Sequence, residues 1–121
     1  MREFDELNET MAEVMVLCPW DRSQSVHDWL HSLLDEAGEL EAAVAEWSKD
    51  EMAEELGDVL ICCVALARES NLDLADVLAC ARDKMRRRHP WLDDDDVPVP
   101  QTIEEANALW RHAKQAEKRH G

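Results

Sequence analysis

A chain of 121 residues has the length of one domain and can bury a core without disulfide or metal staples. Its 28 acidic against 13 basic side chains leave a formal charge of −15, which argues against nucleic-acid backbones and anionic membranes as partners. With 45% hydrophobic residues it is no disordered acidic tail, and three glycines, no tyrosine and few β-branched residues favour helices over a sandwich or barrel.

Phe4, Leu7, Met11, Val14 and Met15 recur at helical spacing and predict a first amphipathic helix. It should end near Cys18-Pro19-Trp20-Asp21, because proline removes a donor and disfavours helix in the residue before it. Ser23 or Ser25 then caps a long second helix with the stripe Val26, Trp29, Leu30, Leu33, Leu34, Ala37, Leu40, Val44 and Trp47. Trp29 and Trp47 both read as core. Ser48-Lys-Asp-Glu51 has the form of a reciprocal capping box opening a third helix.

From Val59 to Ala67 that third helix is apolar on every side, the mark of a helix buried all round. A chain this short has few elements to surround it, so a partner subunit is expected to supply part of the cover. Dimers are the commonest closed assembly, and a homodimer or higher homo-oligomer is the expectation. Asn71 closes the helix, and Asp73 caps a fourth carrying Leu74, Val77, Leu78, Ala81 and Met85, which ends at His89-Pro90. Met11, Met15 and Met85 read as core. Residues 93–101 form an acidic, proline-containing loop, and Thr102-Ile-Glu-Glu105 opens a last helix with Leu109 and Trp110. The whole of residues 1–121 reads as a single all-α domain of four to five helices.

The four cysteines, Cys18, Cys62, Cys63 and Cys80, show neither C-x-x-C nor a zinc spacing. Cys62 and Cys63 lie in an apolar run and read as small hydrophobes. The first residues carry no apolar segment of a signal peptide, and the longest uncharged stretch, Val59–Ala67, is too short to span a bilayer. A reducing cytoplasm is the expected compartment.

Two carboxylate pairs stand out. Glu36 and Glu39 are three apart on the second helix, and Glu55 and Asp58 are three apart on the third, so each pair shares a helix face. A turn at residues 47–50 makes the helices antiparallel. At about 1.5 Å rise per residue, each pair lies within about 3 Å of the other's level along the hairpin. On a helical wheel Glu36 falls about 70° from the centre of the apolar stripe, with Glu39 further round. For any one of these acids a solvated surface is the ordinary reading. As a set brought together they would repel and raise one another's pKa, and a hard divalent cation with all-oxygen ligands relieves that. Mg²⁺ suits such a site, with Mn²⁺ able to take its place, and no histidine joins either pair, which disfavours zinc and the di-iron pattern of glutamates with Glu-x-x-His.

Cys18-Pro-Trp-Asp-Arg-Ser-Gln24, Leu33-Leu-Asp-Glu-Ala-Gly-Glu39, Glu54-Glu-Leu-Gly-Asp58 and Asp83-Lys-Met-Arg-Arg-Arg-His-Pro90, with Leu109-Trp110 on the final helix, together resemble the MazG family of nucleoside triphosphate pyrophosphohydrolases. The resemblance spans nearly the whole chain. It departs at Asp35, where a glutamate is usual, and at His27, displaced from the family's Gln-Thr-His. It implies a MazG-like bundle, Glu36, Glu39, Glu55 and Asp58 as catalytic metal ligands, and hydrolysis of an NTP or dNTP between the α- and β-phosphates. Asp35, Glu54 or one of the ligands would orient the water.

Lys84 and Arg88, matching the family's K-x-x-x-R, would bind substrate phosphates; basic residues at a helix C-terminus also have the dipole to explain them. Trp20 and Trp110 are candidates for a base-stacking wall, against the alternative of ordinary packing. A phosphoribosyl-ATP pyrophosphatase-like enzyme is the alternative within this chemistry, and a non-catalytic helical interaction module the alternative outside it.

Overall fold

The computed structural model describes residues 1–120. Among them are six α-helices and no strand: α1 (Arg2–Leu17), α2 (Pro19–Ser23), α3 (Val26–Glu46), α4 (Lys49–Glu69), α5 (Leu74–Arg88) and α6 (Ile103–His120), with a 3₁₀ turn at Pro90–Leu92. The all-α expectation holds. The chain divides into two compact units, Met1–Leu74 and a second beginning at Ala75.

In the first unit, α1 stops where proline demands it. The Cys18 N–H still closes on Val14 at 2.9 Å, and Pro19 then opens α2 from a helix-ready φ. α2 has no counterpart in the sequence reading, because five residues are too few to show an apolar period. Ser25, not Ser23, caps α3: its Oγ accepts from the Asp28 N–H at 3.1 Å, and Asp28 accepts from the Ser25 N–H at 2.8 Å. The Ser25 N–H first, and then the Ser25 hydroxyl, hold the Asp28 carboxyl below its ordinary range. The Ser23 hydroxyl instead donates to the Trp20 carbonyl at 2.7 Å.

The α3–α4 turn is built on Trp47, which takes the left-handed region at φ 56°. The Ser48 N–H reaches Ala43 and the Trp47 N–H reaches Val44, satisfying two carbonyls that the helix end would orphan. Ser48 Oγ then accepts from the Glu51 N–H at 3.4 Å. The returning bond from Glu51 is not formed, so only the serine half of that capping box exists. Asn71, at φ 57°, closes α4 by the same pattern, with Leu72 N–H to Ala67 and Asn71 N–H to Arg68.

α4 packs along α3, while α1 lies against α2 and α4. Met11, Trp29, Val64 and Ala65 make the centre of the core, covered by Phe4, Leu7, Met15, Ile61, Leu66 and Leu74. The long α3 stripe is only partly buried: Trp29 is 3% exposed, whereas Leu34 is 60% and Trp47 70% exposed. Trp47 is therefore not core. Its left-handed backbone turns it out of the helical register that put it on the stripe. α4 is likewise not covered on every side. Cys62, Val64, Ala65 and Ala67 are buried, but Leu56, Leu60 and Cys63 face outward. The chain has too few helices to enclose both flanks of the hairpin. All four cysteines are free thiols.

In the second unit, α5 and α6 are joined by the 3₁₀ turn and an acidic loop, in which Asp94 Oδ1 accepts from the Asp96 N–H. Glu105 returns its carboxylate to the Gln101 N–H at 2.8 Å while Thr102 Oγ1 accepts from Glu105 N–H at 3.1 Å, so the reciprocal cap closes one residue earlier than expected. Met85 is 55% exposed and is not core, because its unit has only two long helices to bury it. Among the described residues no helix is long and apolar enough to cross a membrane.

Candidate active site

The antiparallel α3–α4 hairpin sets Glu36 beside Glu55 and Asp58. One oxygen from each of the three lies within 4.8 Å of the others. All three side chains are half-buried, as the boundary position of Glu36 on the α3 wheel requires. Glu39 is exposed and stands outside that trio, being further round the helix. Its charge nevertheless reaches Glu55.

The electrostatic signature is that of crowded like charges. The Glu55 carboxyl is pushed up to about 6, first by burial, then by a side-chain hydrogen bond with Glu36 and by the charges of Glu36, Asp58 and Glu39. The buried Cys62 thiol is also pushed up, by burial first and then by Glu36, Cys63 and Asp58. A divalent cation would offset that repulsion, and three carboxylates from two helices form the kind of all-oxygen set that a hard cation takes.

A cavity of about 240 Å³ opens beside the acids, lined by Trp20, Asp21, Trp29, Ser32, Glu36 and Asp58 among others. Trp20, carried by α2, is 58% exposed and meets Trp29 edge to face, with ring centroids 5.9 Å apart and planes at 88°. The structure thus brings Trp20 to the same cavity as two of the acids. Trp29, read from the sequence as core, is core on one side and cavity wall on the other. Periodicity cannot separate those roles, since both need an apolar, inward position.

The remaining candidates belong to the second unit. Lys84 is exposed on α5. Arg88 is held by Glu117, donating from Nε at 3.4 Å and from a terminal nitrogen at 3.2 Å, and Arg87 donates to the same carboxylate at 3.3 Å. These arginines keep the Glu117 carboxyl below its ordinary range, Arg88 most strongly. Arg88 lies over the Trp110 ring at 5.4 Å and Lys114 over it at 4.3 Å. Lys114 and Glu117 were not singled out from the sequence, although Lys114 follows Trp110 at the four-residue spacing that makes helix neighbours. A second cavity, of about 500 Å³, lies in this unit between Pro90, Leu109, Ala113 and Ala116, with Arg87 and Glu117 at its edge. Its largely apolar wall offers no hard-cation ligand set.

Residues 24–92 match the MazG nucleotide pyrophosphohydrolase domain, a span holding all four hairpin acids and Lys84 and Arg88. The chain belongs to the MazG nucleotide pyrophosphohydrolase domain family. It is 32% identical over 105 residues to the nucleoside triphosphate pyrophosphohydrolase of Escherichia coli K12, covering 84% of this chain and 39% of that protein. It is 40% identical over 77 residues to the nucleoside triphosphate pyrophosphohydrolase/pyrophosphatase MazG of Thermotoga maritima, covering 60% and 30%. The crystal structure of a MazG-related protein from Thermotoga maritima superposes with a TM-score of 0.76 at 27% identity, over 92% of this chain and 98% of that one. The chain thus spans well under half the length of the two curated MazG relatives and nearly all of the solved MazG-related chain. Trp20 and Trp110 lie outside the matched residues 24–92.

Proposed function

We propose that residues 1–121 act as one catalytic domain that hydrolyses (deoxy)nucleoside triphosphates between the α- and β-phosphates, releasing a monophosphate and pyrophosphate. The observation that carries this reading is the meeting of Glu36, Glu55 and Asp58 within 4.8 Å on a MazG-type hairpin, with Glu55 pushed up to about 6 by its neighbours. Glu36, Glu55 and Asp58 would hold Mg²⁺, or Mn²⁺ in its place, with Glu39 as the fourth and outermost carboxylate. The bound cation supplies Lewis-acid polarisation of the phosphate and a more acidic attacking water.

The chain's own groups do the rest. At −15 the protein repels a triphosphate, so binding needs cationic groups besides the metal. Lys84 and Arg88 would supply the second set, a point charge and a fork for phosphate oxygens. Glu117 holds the Arg88 fork and would have to release it or share it with the substrate. Trp20 offers an exposed indole face beside the acids, on which a base can stack. Trp110, already faced by two cations, would contribute a second aromatic surface. Asp35, Glu54 or one of the ligands would orient the water.

The exposed flank of the hairpin, with Leu34, Leu56 and Leu60 at 60%, 50% and 42% exposure, supports a homodimer or higher homo-oligomer in which a second copy covers it. Four free thiols suit a reducing cytoplasm.

The test is product analysis on a panel of NTPs and dNTPs with Mg²⁺. Monophosphate and pyrophosphate in equal amounts, abolished by EDTA and by Glu55→Gln, is the expected result. Orthophosphate would place the cut at the wrong bond. No product from any nucleotide, with no Mg²⁺-dependent rise in Tm, would instead make the acids a solvated face of a non-catalytic helical module.

A further inference from the structure

We infer that Glu117 is a positioning residue for phosphate binding: it holds one edge of the Arg88 guanidinium and leaves the end-on pair of N–H groups open to a phosphate. The inference rests on the reading of Arg88 as a phosphate contact, and it makes Glu117 a partner of that contact rather than a competitor. Arg87, Arg88, Trp110 and Glu117 all belong to the second unit, on α5 and α6.

A guanidinium carries five N–H donors, one on Nε and two on each terminal nitrogen. Glu117 Oε1 accepts from Arg88 Nε at 3.4 Å, and Oε2 accepts from Nη2 at 3.2 Å. Both bonds run along one edge. The two N–H groups of Nη1 and the second of Nη2 make no hydrogen bond among the described residues. The Arg88 side chain is 18% exposed, and none of its nitrogens is buried without a partner, so the open end reaches solvent.

Two contacts fix that open end. Besides the carboxylate along its edge, the guanidinium lies over the Trp110 ring, with Cζ 5.4 Å from the centroid. A fork held in plane and in direction before a phosphate arrives loses less side-chain freedom on binding it.

Charge favours sharing over release. Arg87 Nε also donates to Glu117 Oε1, at 3.3 Å, so two guanidiniums meet one carboxylate and the trio keeps a net positive charge. Breaking the Arg88 pair would leave a half-buried carboxylate, held by Arg87 alone, beside an incoming anion. The hydrogen bond from Arg88, before any other cause, keeps the Glu117 carboxyl below its ordinary range and hence ionised as a partner.

The experiment follows the arginine N–H resonances of the full chain as inorganic tripolyphosphate is added with Mg²⁺, Arg88→Gln identifying the Arg88 signals. The Nε–H should keep its Glu117-bonded position while the terminal N–H signals of Arg88 shift. In turnover, Glu117→Gln keeps the side-chain shape but sets an amide N–H against a guanidinium donor. It should raise KM about tenfold with kcat retained. Electrostatics alone gives the opposite sign, because the substitution removes a negative charge beside an anion. In the Arg88→Gln background, Glu117→Gln should change KM by less than about twofold.

A purely structural tie between α5 and α6 would move KM by the same factor in both backgrounds, and that result overturns the inference. So does an Nε–H that leaves its bonded position on titration, or tighter binding by Glu117→Gln, since Glu117 is then a competitor. If Arg88→Gln leaves tripolyphosphate affinity and KM unchanged, or if tripolyphosphate does not bind, the reading of Arg88 falls and the inference with it. Should a variant fold poorly, selective arginine labelling assigns the resonance and the wild-type titration decides alone. If no nucleotide is hydrolysed, the reaction falls, while the tripolyphosphate titration still decides the role of Glu117.

Discussion

Glu36 of α3 and Glu55 of α4 bring a carboxylate oxygen of each within 4.8 Å of the other, and with burial this neighbour pushes the Glu55 carboxyl up to about 6. A proton on Glu55 and a cation held by the same carboxylates would relieve the same repulsion, so the two would compete.

That competition has a pH dependence with a definite sign. The folded Glu55 carboxyl titrates at about 6 against an ordinary 4.5, so the native state binds the extra proton between those values. In EDTA, the Glu55 contribution to stability is fully present below pH 4.5 and is lost as pH rises through about 6. The Tm difference between wild type and Glu55→Gln in EDTA should therefore widen in favour of Glu55→Gln as pH rises from 4.5 to 7. Mg²⁺ should raise the wild-type Tm strongly at pH 7.5 and progressively less below pH 6, because the ion must displace the proton.

The trio and the outlying acid should separate in a ligand series. Glu36→Gln, Glu55→Gln and Asp58→Asn should each abolish the Mg²⁺-dependent Tm rise and lower turnover by more than the roughly 10–100-fold that a lost outer partner costs a metal site. Glu39→Gln should weaken Mg²⁺ binding less, since Glu39 lies outside the cluster. Calorimetric titration with Mg²⁺ and single-turnover rates check the order. Equal losses at all four positions would bring Glu39 inward when the ion binds.

Trp47 carries a cost that its exposure does not repay. It holds a left-handed φ of 56° at the α3 terminus while 70% exposed, and glycine meets that backbone demand without a Cβ penalty. Trp47→Gly should stabilise the monomer by about 0.5–1 kcal/mol, after allowing for the extra freedom glycine gives the unfolded chain, or a rise in Tm of roughly 2–5 °C. Calorimetry measures it. A fall in Tm that grows with protein concentration would instead put the indole inside an oligomer contact.

The open flank of the hairpin gives the assembly test. Leu60→Glu places a charge on the exposed side of α4, away from the acid cluster, and should convert the oligomer to a folded monomer by sedimentation at micromolar concentration. Unchanged helicity by circular dichroism would show that the monomer fold survives. A wild type that already sediments as a well-folded monomer would remove the oligomer from the proposal.

The sequence by itself determined the five long helices, because apolar spacing, proline at residue 19, a serine at 23 or 25 and the serine at 48 act within a few residues of chain. It also determined that the two carboxylate pairs lie level across one hairpin, since a short turn and a fixed rise per residue leave no other register. The wheel position of Glu36 at the edge of the apolar stripe anticipated its half-buried place in the trio. Only the tertiary structure decided what depends on two surfaces meeting. Rotation of α3 against α4 left Glu39 outside, and one left-handed residue turned Trp47 to solvent although its spacing matched the core. A five-residue helix with no readable period carried Trp20 to the acids, and burial of Trp29 against it left an N–H without a partner. Local spacing fixes which face a side chain is on. What stands opposite that face is set by packing between elements distant in the chain.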